Sequence, residues 1–302
     1  MEEPKIVTGA LLVELCLTNF GITKSISAGG AIAKEFGNAE YFTQGGDQTT
    51  KSRKWIIPKY LYETIARFQR ETRAMHSVYT GGMKWTTNMD IISTKAYSGA
   101  EGRESYTQWH EDRKAELETL AYDFAYSLYP QAKYAARTEL GQLYDSSEYP
   151  HNDVVKNSIG MSVNIRPIPI GSDFRCSLEK KEKAHLEEEY NDMLWKVQRK
   201  SVLKLSSALS EKLLSIATSL KEGKRVHKGT YKDLYEFADR LPMLDFTDDP
   251  KLKELAGDVV GKVMGDGWLD ANMVKNSEEV KDNVINSAVN ISRNLDAYAE
   301  TL

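Results

Sequence analysis

Apolar residues along this chain recur mainly at helical spacing. Three or four residues separate successive apolar positions after Pro58, and the spacing persists up to the Gly81, Gly82 pair. The same spacing runs from Tyr106 to Leu128, where Arg113 is the one polar interruption of the stripe. A longer stripe extends from Leu186 to Leu220 and predicts the longest helix of the protein. A helix of that length needs a partner, and we expect it to pair antiparallel with the helix over 104–129.

Alternating patterns are confined to two short parts of the chain. Ala10 to Thr18 alternates and predicts a strand. Residues 159–178 alternate around Pro167 and Pro169 and predict a small hairpin-like unit, which the prolines restrict to an edge or a turn. Residues 27–53 and 82–103 show no sustained period and predict loops, the first with a short helix near residues 31–36.

These patterns together predict a mainly α protein with a small β element, of the α+β class. The expected parts are a long antiparallel helix pair, a short antiparallel β unit and a C-terminal helical region. Pro242 and the run from Asp248 to Pro250 indicate a hinge. The sequence therefore predicts a main helical domain over residues 1–245 and an acidic helical region over 246–302.

Composition adds an ordinary globular mixture to this picture. The chain has 302 residues, of which 41% are hydrophobic and 28% are charged, so disorder is not expected. Neither a signal sequence nor a membrane span is indicated, and we expect the protein in the cytoplasm. The two cysteines, Cys16 and Cys176, are too few for a disulfide framework or a thiolate metal cage.

Candidate chemistry is sparse. The five histidines are scattered without the i, i+4 spacing of a zinc helix. The segment from Gly45 to Ser52 lacks the glycine that a phosphate loop places before its lysine. Asp173, Glu179 and Lys181 imitate the order of some nuclease sites, but the last two begin the long helix. We therefore expect no enzyme, no catalytic residue, no metal site and no cofactor.

Charge is the feature that indicates a function. The net charge is −4, yet residues 51–95 carry nine Lys and Arg against three Asp and Glu, and residues 196–228 carry nine against two. In the first basic segment, cations alternate with aromatic residues, as in proteins that bind single-stranded nucleic acid. The predicted nucleic-acid-binding residues are Arg53, Lys54, Trp55, Lys59, Arg67, Arg70, Arg73, Lys84 and Trp85.

The alternative is that the aromatic residues are anchors of the core and that the basic face pairs with the acidic C-terminal region. The second segment ends at a helix C-terminus, where cations complement the helix dipole.

Three short motifs carry a family resemblance: residues 8–13, residues 140–145 ending at Tyr149 and Pro150, and residues 174–178 after Pro167 and Pro169. Over residues 7–245 the chain resembles an uncharacterised family of phage and conjugative-plasmid proteins, which are often encoded near MoxR- or CobS-like AAA+ ATPases and recombination genes. The motifs look structural rather than catalytic. The resemblance implies a setting in mobile-element DNA metabolism and no mechanism.

Two main hypotheses follow for the function. The first is an accessory protein of the phage type that binds single-stranded DNA in replication, recombination or transcription. The alternative is an adaptor that docks on a AAA+ ATPase or another phage protein, or an antagonist of host defence. Neither hypothesis includes a membrane partner, and a homo-oligomer is left open.

Overall fold

A computed structural model describes residues 4–25, 42–43, 53–100, 102–141, 144–171, 179–265 and 271–301. The described strands are β1 Ala10–Thr18, β2 Thr23–Ser25, β3 Phe42–Thr43, β4 Arg53–Trp55, β5 Asp90–Ser93 and β6 Gly160–Pro167. The described α-helices are α1 Ile6–Gly9, α2 Lys59–Tyr79, α3 Thr94–Ser98, α4 Tyr106–Asp123, α5 Tyr129–Glu139, α6 Asn152–Ser158, α7 Lys180–Lys221, α8 Lys228–Leu244, α9 Pro250–Asp258, α10 Ala271–Asn276 and α11 Glu278–Thr301. The predicted class, mainly α with a small β element, is confirmed.

The described strands form two small sheets. One has the order β5-β1-β6, and β1 pairs antiparallel with β5 so that Ala10 faces Ser93 and Val13 faces Asp90. The other has the order β2-β4-β3. β6 ends at Pro167 and is an edge strand among those described, as its prolines predicted. The second half of the predicted hairpin, residues 174–178, lies outside the described residues. So do residues 27–41 and 44–52 of the loop predicted over 27–53, with its short helix near residues 31–36. The described residues of that predicted loop lie in strands, residues 42–43 in β3 and residue 53 in β4.

The chain divides into two compact units. Unit 1 comprises residues 1–13, 79–106 and 165–302, and unit 2 comprises residues 14–78 and 107–164. In unit 1, the C-terminal half of α7 shares one hydrophobic core with α8, α9 and α11. That core contains Leu209, Leu213 and Leu241 together with Leu252 and Ile291, all buried. It therefore continues across residue 245 into the C-terminal helices.

The long stripe of apolar residues does form one helix, α7, of 42 residues. Glu179 and Glu182 form a capping box at its start, and Gly223, with φ of 69°, follows its end. The helix that packs along it is α11 rather than the predicted helix over 104–129. The hydroxyls of Ser210 and Ser292 meet at 2.8 Å where the two helices pack. Helical periodicity identifies a buried face, but it does not identify the partner that covers it.

Unit 2 has its own aromatic core. Tyr62 of α2 packs edge-on against Phe124, with ring centroids 5.2 Å apart, and Phe20 packs similarly against Tyr129 at 5.7 Å. A π-helical turn over Phe124–Leu128 joins α4 to α5. Pro130 does not end this helical stretch but lies in the first turn of α5, a position at which proline is tolerated.

The predicted loop at 82–103 is wrong in one part. It contains β5, whose four residues are all buried, and the short helix α3. Ser93 caps α3 by accepting a hydrogen bond from the backbone N–H of Ala96. A strand buried on both sides shows no alternation, and four residues are too few to reveal it as a strand by periodicity.

Candidate nucleic-acid interface

Helix α2 carries the main row of predicted binding residues. Lys59, Arg67, Arg70 and Arg73 are all exposed, whereas Phe68 on the opposite side is 4% exposed. A rise of 1.5 Å per residue places the first and last of these cations about 21 Å apart along the helix. The sequence period therefore separates a buried apolar face from an exposed face that carries these four cations.

Two carboxylates partly neutralise this face. A guanidinium nitrogen of Arg70 lies 2.6 Å from Glu63 Oε1, and Arg67 Nε lies 4.0 Å from Glu71 Oε1. The hydrogen bond from Arg70, with the positive charges around it, lowers the pKa of Glu63 and keeps it ionised. Within the described part of the chain, Lys59 and Arg73 have no carboxylate at ion-pair distance.

Aromatic side chains flank the start of α2. Tyr60 is 67% exposed and lies next to Lys59, so its ring face is open to solvent. Trp55 on β4 is half-buried, and its backbone pairs with Thr23 in the small sheet. Tyr60, which the list of predicted binding residues omits, therefore presents more aromatic surface than the predicted Trp55.

Lys54 differs from the cations of α2. It is 7% exposed, and its Nζ lies 2.7 Å from Glu148 Oε2 in the 3₁₀ turn Ser146–Glu148. A buried lysine with a carboxylate partner fastens this turn to β4 and offers little charge to a phosphate. The side chain of the neighbouring Arg53 lies outside the described residues.

Lys84 and Trp85 belong to unit 1, whereas the other predicted residues belong to unit 2. Lys84 Nζ lies 2.8 Å from a carboxylate oxygen of Asp90. Trp85 is half-buried and packs against a cluster of buried residues that includes Met83 and Phe246. Trp85 is thus a partly buried anchor of unit 1, and Lys84 is an exposed cation with a carboxylate partner.

Arg113, the polar residue within the apolar stripe of α4, supports α2 from behind. Its guanidinium lies 3.7 Å from the ring centroid of Phe68. It also donates to the hydroxyl of Thr72 at 3.2 Å and to the carbonyl of Phe68 at 3.4 Å. The same group pairs with Glu116 at 3.0 Å. Arg113 therefore links α4 to the helix that carries the cationic face.

The second basic segment divides between the middle and the end of α7. Lys196, Arg199 and Lys200 are exposed more than five turns before the end of the helix, too far for the helix dipole to explain them. Only the cations from Lys221 onward lie near the C-terminus of the helix, where that explanation applies.

The motifs behind the family resemblance have structural roles where they are described. A Cβ on Gly9 would lie 2.3 Å from the carbonyl oxygen of Phe246. Gly141 has a φ of 49°, and Leu140 and Tyr149 are buried. The carboxylate of Asp145 accepts hydrogen bonds from the hydroxyl and from the backbone N–H of Ser147, which lower its pKa, and the backbone bond caps the 3₁₀ turn. These positions shape the backbone and the core.

The described residues contain no group of three or more His, Cys, Asp and Glu side chains that could hold a metal ion. Within the same residues, no helix combines the length and the apolar character that crossing a membrane requires. Comparison with protein-family models, with curated proteins and with solved structures finds no match. The resemblance to the phage and plasmid family stays a prediction.

Proposed function

We propose that this protein is a non-enzymatic accessory protein that binds single-stranded DNA through the exposed face of α2. The observation that carries the proposal is the row of four exposed cations, Lys59, Arg67, Arg70 and Arg73, on one side of a single helix. Such a row can follow a phosphate backbone, and the buried opposite face fixes its orientation. Lys54, Lys84 and Trp85 are left out of the proposed interface because of their burial or their pairing.

Tyr60 favours a single strand over a duplex. Its exposed ring adjoins the first cation of the row. An aromatic face stacks on an unpaired base without regard to sequence, whereas the bases of a duplex are already stacked on each other. The expected mode is therefore phosphate contact along α2 and base stacking at its N-terminal end.

The salt dependence of binding measures how many of the cations act. Each phosphate contact with a single strand contributes about −0.7 to the slope of log K against log salt concentration. Four contacts give a slope of about −2.8, or roughly 600-fold weaker binding for a tenfold rise in salt. If Arg67 and Arg70 keep their carboxylate partners, two contacts give about −1.4, or roughly 25-fold.

The test uses fluorescence anisotropy with a labelled oligothymidylate. Replacement of Lys59 and Arg73 by alanine should weaken binding at low salt and reduce the magnitude of the slope by about 1.4. Tyr60→Ala should cost about 1–3 kcal/mol and leave the slope unchanged, because stacking releases no counterions.

Lys253 and Arg293 provide a matched control. Both are exposed on helices of unit 1, and neither has an ion-pair partner among the described residues. Their replacement by alanine removes the same charge and should leave binding as it is. Absence of a complex at low salt would refute the proposal and favour the alternative of a protein-binding adaptor. Equal losses in the α2 variant and the control would show only non-specific attraction.

A further inference from the structure

The middle of α7 has an exposed face with segregated charge. Its acidic half contains Glu188, Glu189 and Asp192, and its basic half contains Lys196, Arg199 and Lys200. Between the two halves lie Met193, 37% exposed, and Trp195, 42% exposed. The opposite face of this segment is fixed in unit 1, where Leu194 is fully buried and Tyr190 and Val197 pack around the same cluster.

These charges have little compensation within the chain. In the parts of the chain that the structure describes, no ion pair involves Glu188, Asp192, Lys196, Arg199 or Lys200. Glu189 lies 3.5 Å from His185, an imidazole that carries charge only when it is protonated. Opposite charges four residues apart, Asp192 and Lys196, stay unpaired although their spacing permits contact. The separation of acidic from basic residues along this face is therefore not explained by ion pairs within the helix.

The order of the charges is complementary to itself when reversed. Glu188 and Arg199 are eleven residues apart, about three helical turns, and so lie on the same edge of the exposed face. Glu189 and Lys200 have the same separation and lie on the other edge, while Asp192 and Lys196 lie between them. All three acid–base pairs are centred within half a residue of position 194.

We propose that this face of α7 pairs antiparallel with the same face of a second copy of the chain, about a two-fold axis at residue 194. A two-fold axis makes each contact occur twice, because the same patch serves both copies. Glu188 then meets Arg199 of the other copy, Glu189 meets Lys200, and Asp192 meets Lys196. Met193 and Trp195 lie on opposite edges of the face, because residues two apart are about 200° apart around a helix. At the level of the axis, each approaches its own equivalent and supplies an apolar contact at that edge.

The order of the charges, and not only the exposed apolar surface, indicates that the partner of this face is a second copy of the chain. A parallel arrangement in register would oppose acid to acid and base to base along the whole segment. Reversal about position 194 alone matches every one of the six charges. Ion pairs exposed to solvent are individually weak, so we expect a reversible dimer whose affinity depends on salt.

The first measurement is sedimentation velocity of the purified full chain without nucleic acid, up to about 0.5 mM, which reaches weak dimers. The dimer should weaken between about 0.01 M and 1 M salt, over which the Debye length falls from about 30 Å to about 3 Å. A chain that stays monomeric at low salt up to about 0.5 mM protein would overturn the proposal.

Two charge variants then test whether this face carries the contact. The acidic variant is Lys196→Glu, Arg199→Glu, Lys200→Glu, and the basic variant is Glu188→Lys, Glu189→Lys, Asp192→Lys. Each should weaken self-association at least about tenfold, because every contact becomes repulsive. An equimolar mixture should restore a dimer with one copy of each. Glutamate and lysine are both good helix formers, so circular dichroism should match that of the wild type.

General attraction between oppositely charged proteins needs its own control. The substitutions change the net charge from −4 to −10 in the acidic variant and to +2 in the basic one. Lys221→Glu, Lys224→Glu, Arg225→Glu also gives −10, with all changes at exposed residues at the end of α7 or just after it. This control should self-associate like the wild type and should not pair with the basic variant. The proposal is refuted if the acidic and basic variants do not associate with each other, or if the control associates with the basic variant as strongly as the acidic variant does.

Discussion

The buried pair of Lys54 and Glu148 leads to a prediction that separates a structural lysine from a binding one. At the observed 2.7 Å, the Coulomb attraction amounts to about 6 kcal/mol with an effective dielectric constant of about 20, and desolvation of both groups offsets much of it. Removal of one partner leaves the other charge poorly solvated, which typically costs about 3–5 kcal/mol. Because the Glu148 side chain keeps 19% of its exposure, we expect about 3 kcal/mol for Lys54→Met.

Two further variants complete the thermodynamic cycle. Glu148→Leu alone should destabilise by a similar amount, because it removes the carboxylate that lies 2.7 Å from the buried Lys54 ammonium. The double variant, Lys54→Met with Glu148→Leu, should recover most of the loss, since it removes both desolvation costs together. The measurement is the free energy of unfolding from urea titrations, followed by circular dichroism.

Binding assays on the same variants address function. Because Lys54 is excluded from the proposed interface, the double variant should bind oligothymidylate as the wild type does. Stability that falls additively in the double variant would refute the energetic coupling of the pair. A double variant that is stable but binds DNA weakly would show that Lys54 itself contacts the nucleic acid.

Two other predictions concern two glycines of unit 1 and a buried tyrosine of unit 2. Gly9→Ala should destabilise by about 1–3 kcal/mol, since the new methyl group would meet the Phe246 carbonyl oxygen at 2.3 Å. Gly257→Ala, in α9 with nothing within 4 Å, should instead stabilise by about 0.5–1 kcal/mol, and thermal melts compare the two. Burial raises the pKa of Tyr62 to about 12, so its unfolded form deprotonates first. This contribution to stability is present below pH 10 and is lost by about 1.4 kcal/mol per pH unit toward pH 12. Tyr62→Phe should flatten that decline in urea titrations, and an unchanged slope would contradict the assignment.

The sequence predicts those elements whose cause is local. β1, α2 and α7 lie where alternation or helical spacing placed them. α2 and α7 each have one buried face along most of their length, whereas β1 is buried only near its start, at Ala10, Leu12 and Val13. Capping residues and glycines then define several of their ends, such as Gly81 after α2, with φ of 58°.

The pairing of elements could not be predicted in the same way. β1 pairs with β5, about eighty residues later, and α7 packs against α11 rather than the expected helix. Both choices depend on surfaces that meet only in the folded chain. Arg113 is a related case, because a polar residue within an apolar stripe has a reason to be there only once Phe68 and Thr72 are seen beneath its guanidinium.

The candidate site also combines features that the local sequence predicts with features that depend on distant residues. Helical spacing puts Arg67, Arg70 and Arg73 opposite the buried Phe68, so their exposure follows from the sequence. Lys54 lies in a strand of three residues, and its ion pair is with Glu148, a residue 94 positions away that the local sequence does not reveal. A count of positive charge treats these side chains alike, although one of them is neutralised inside the protein. The cationic face that remains is therefore smaller than the basic segment of the sequence but better ordered, because it belongs to one helix.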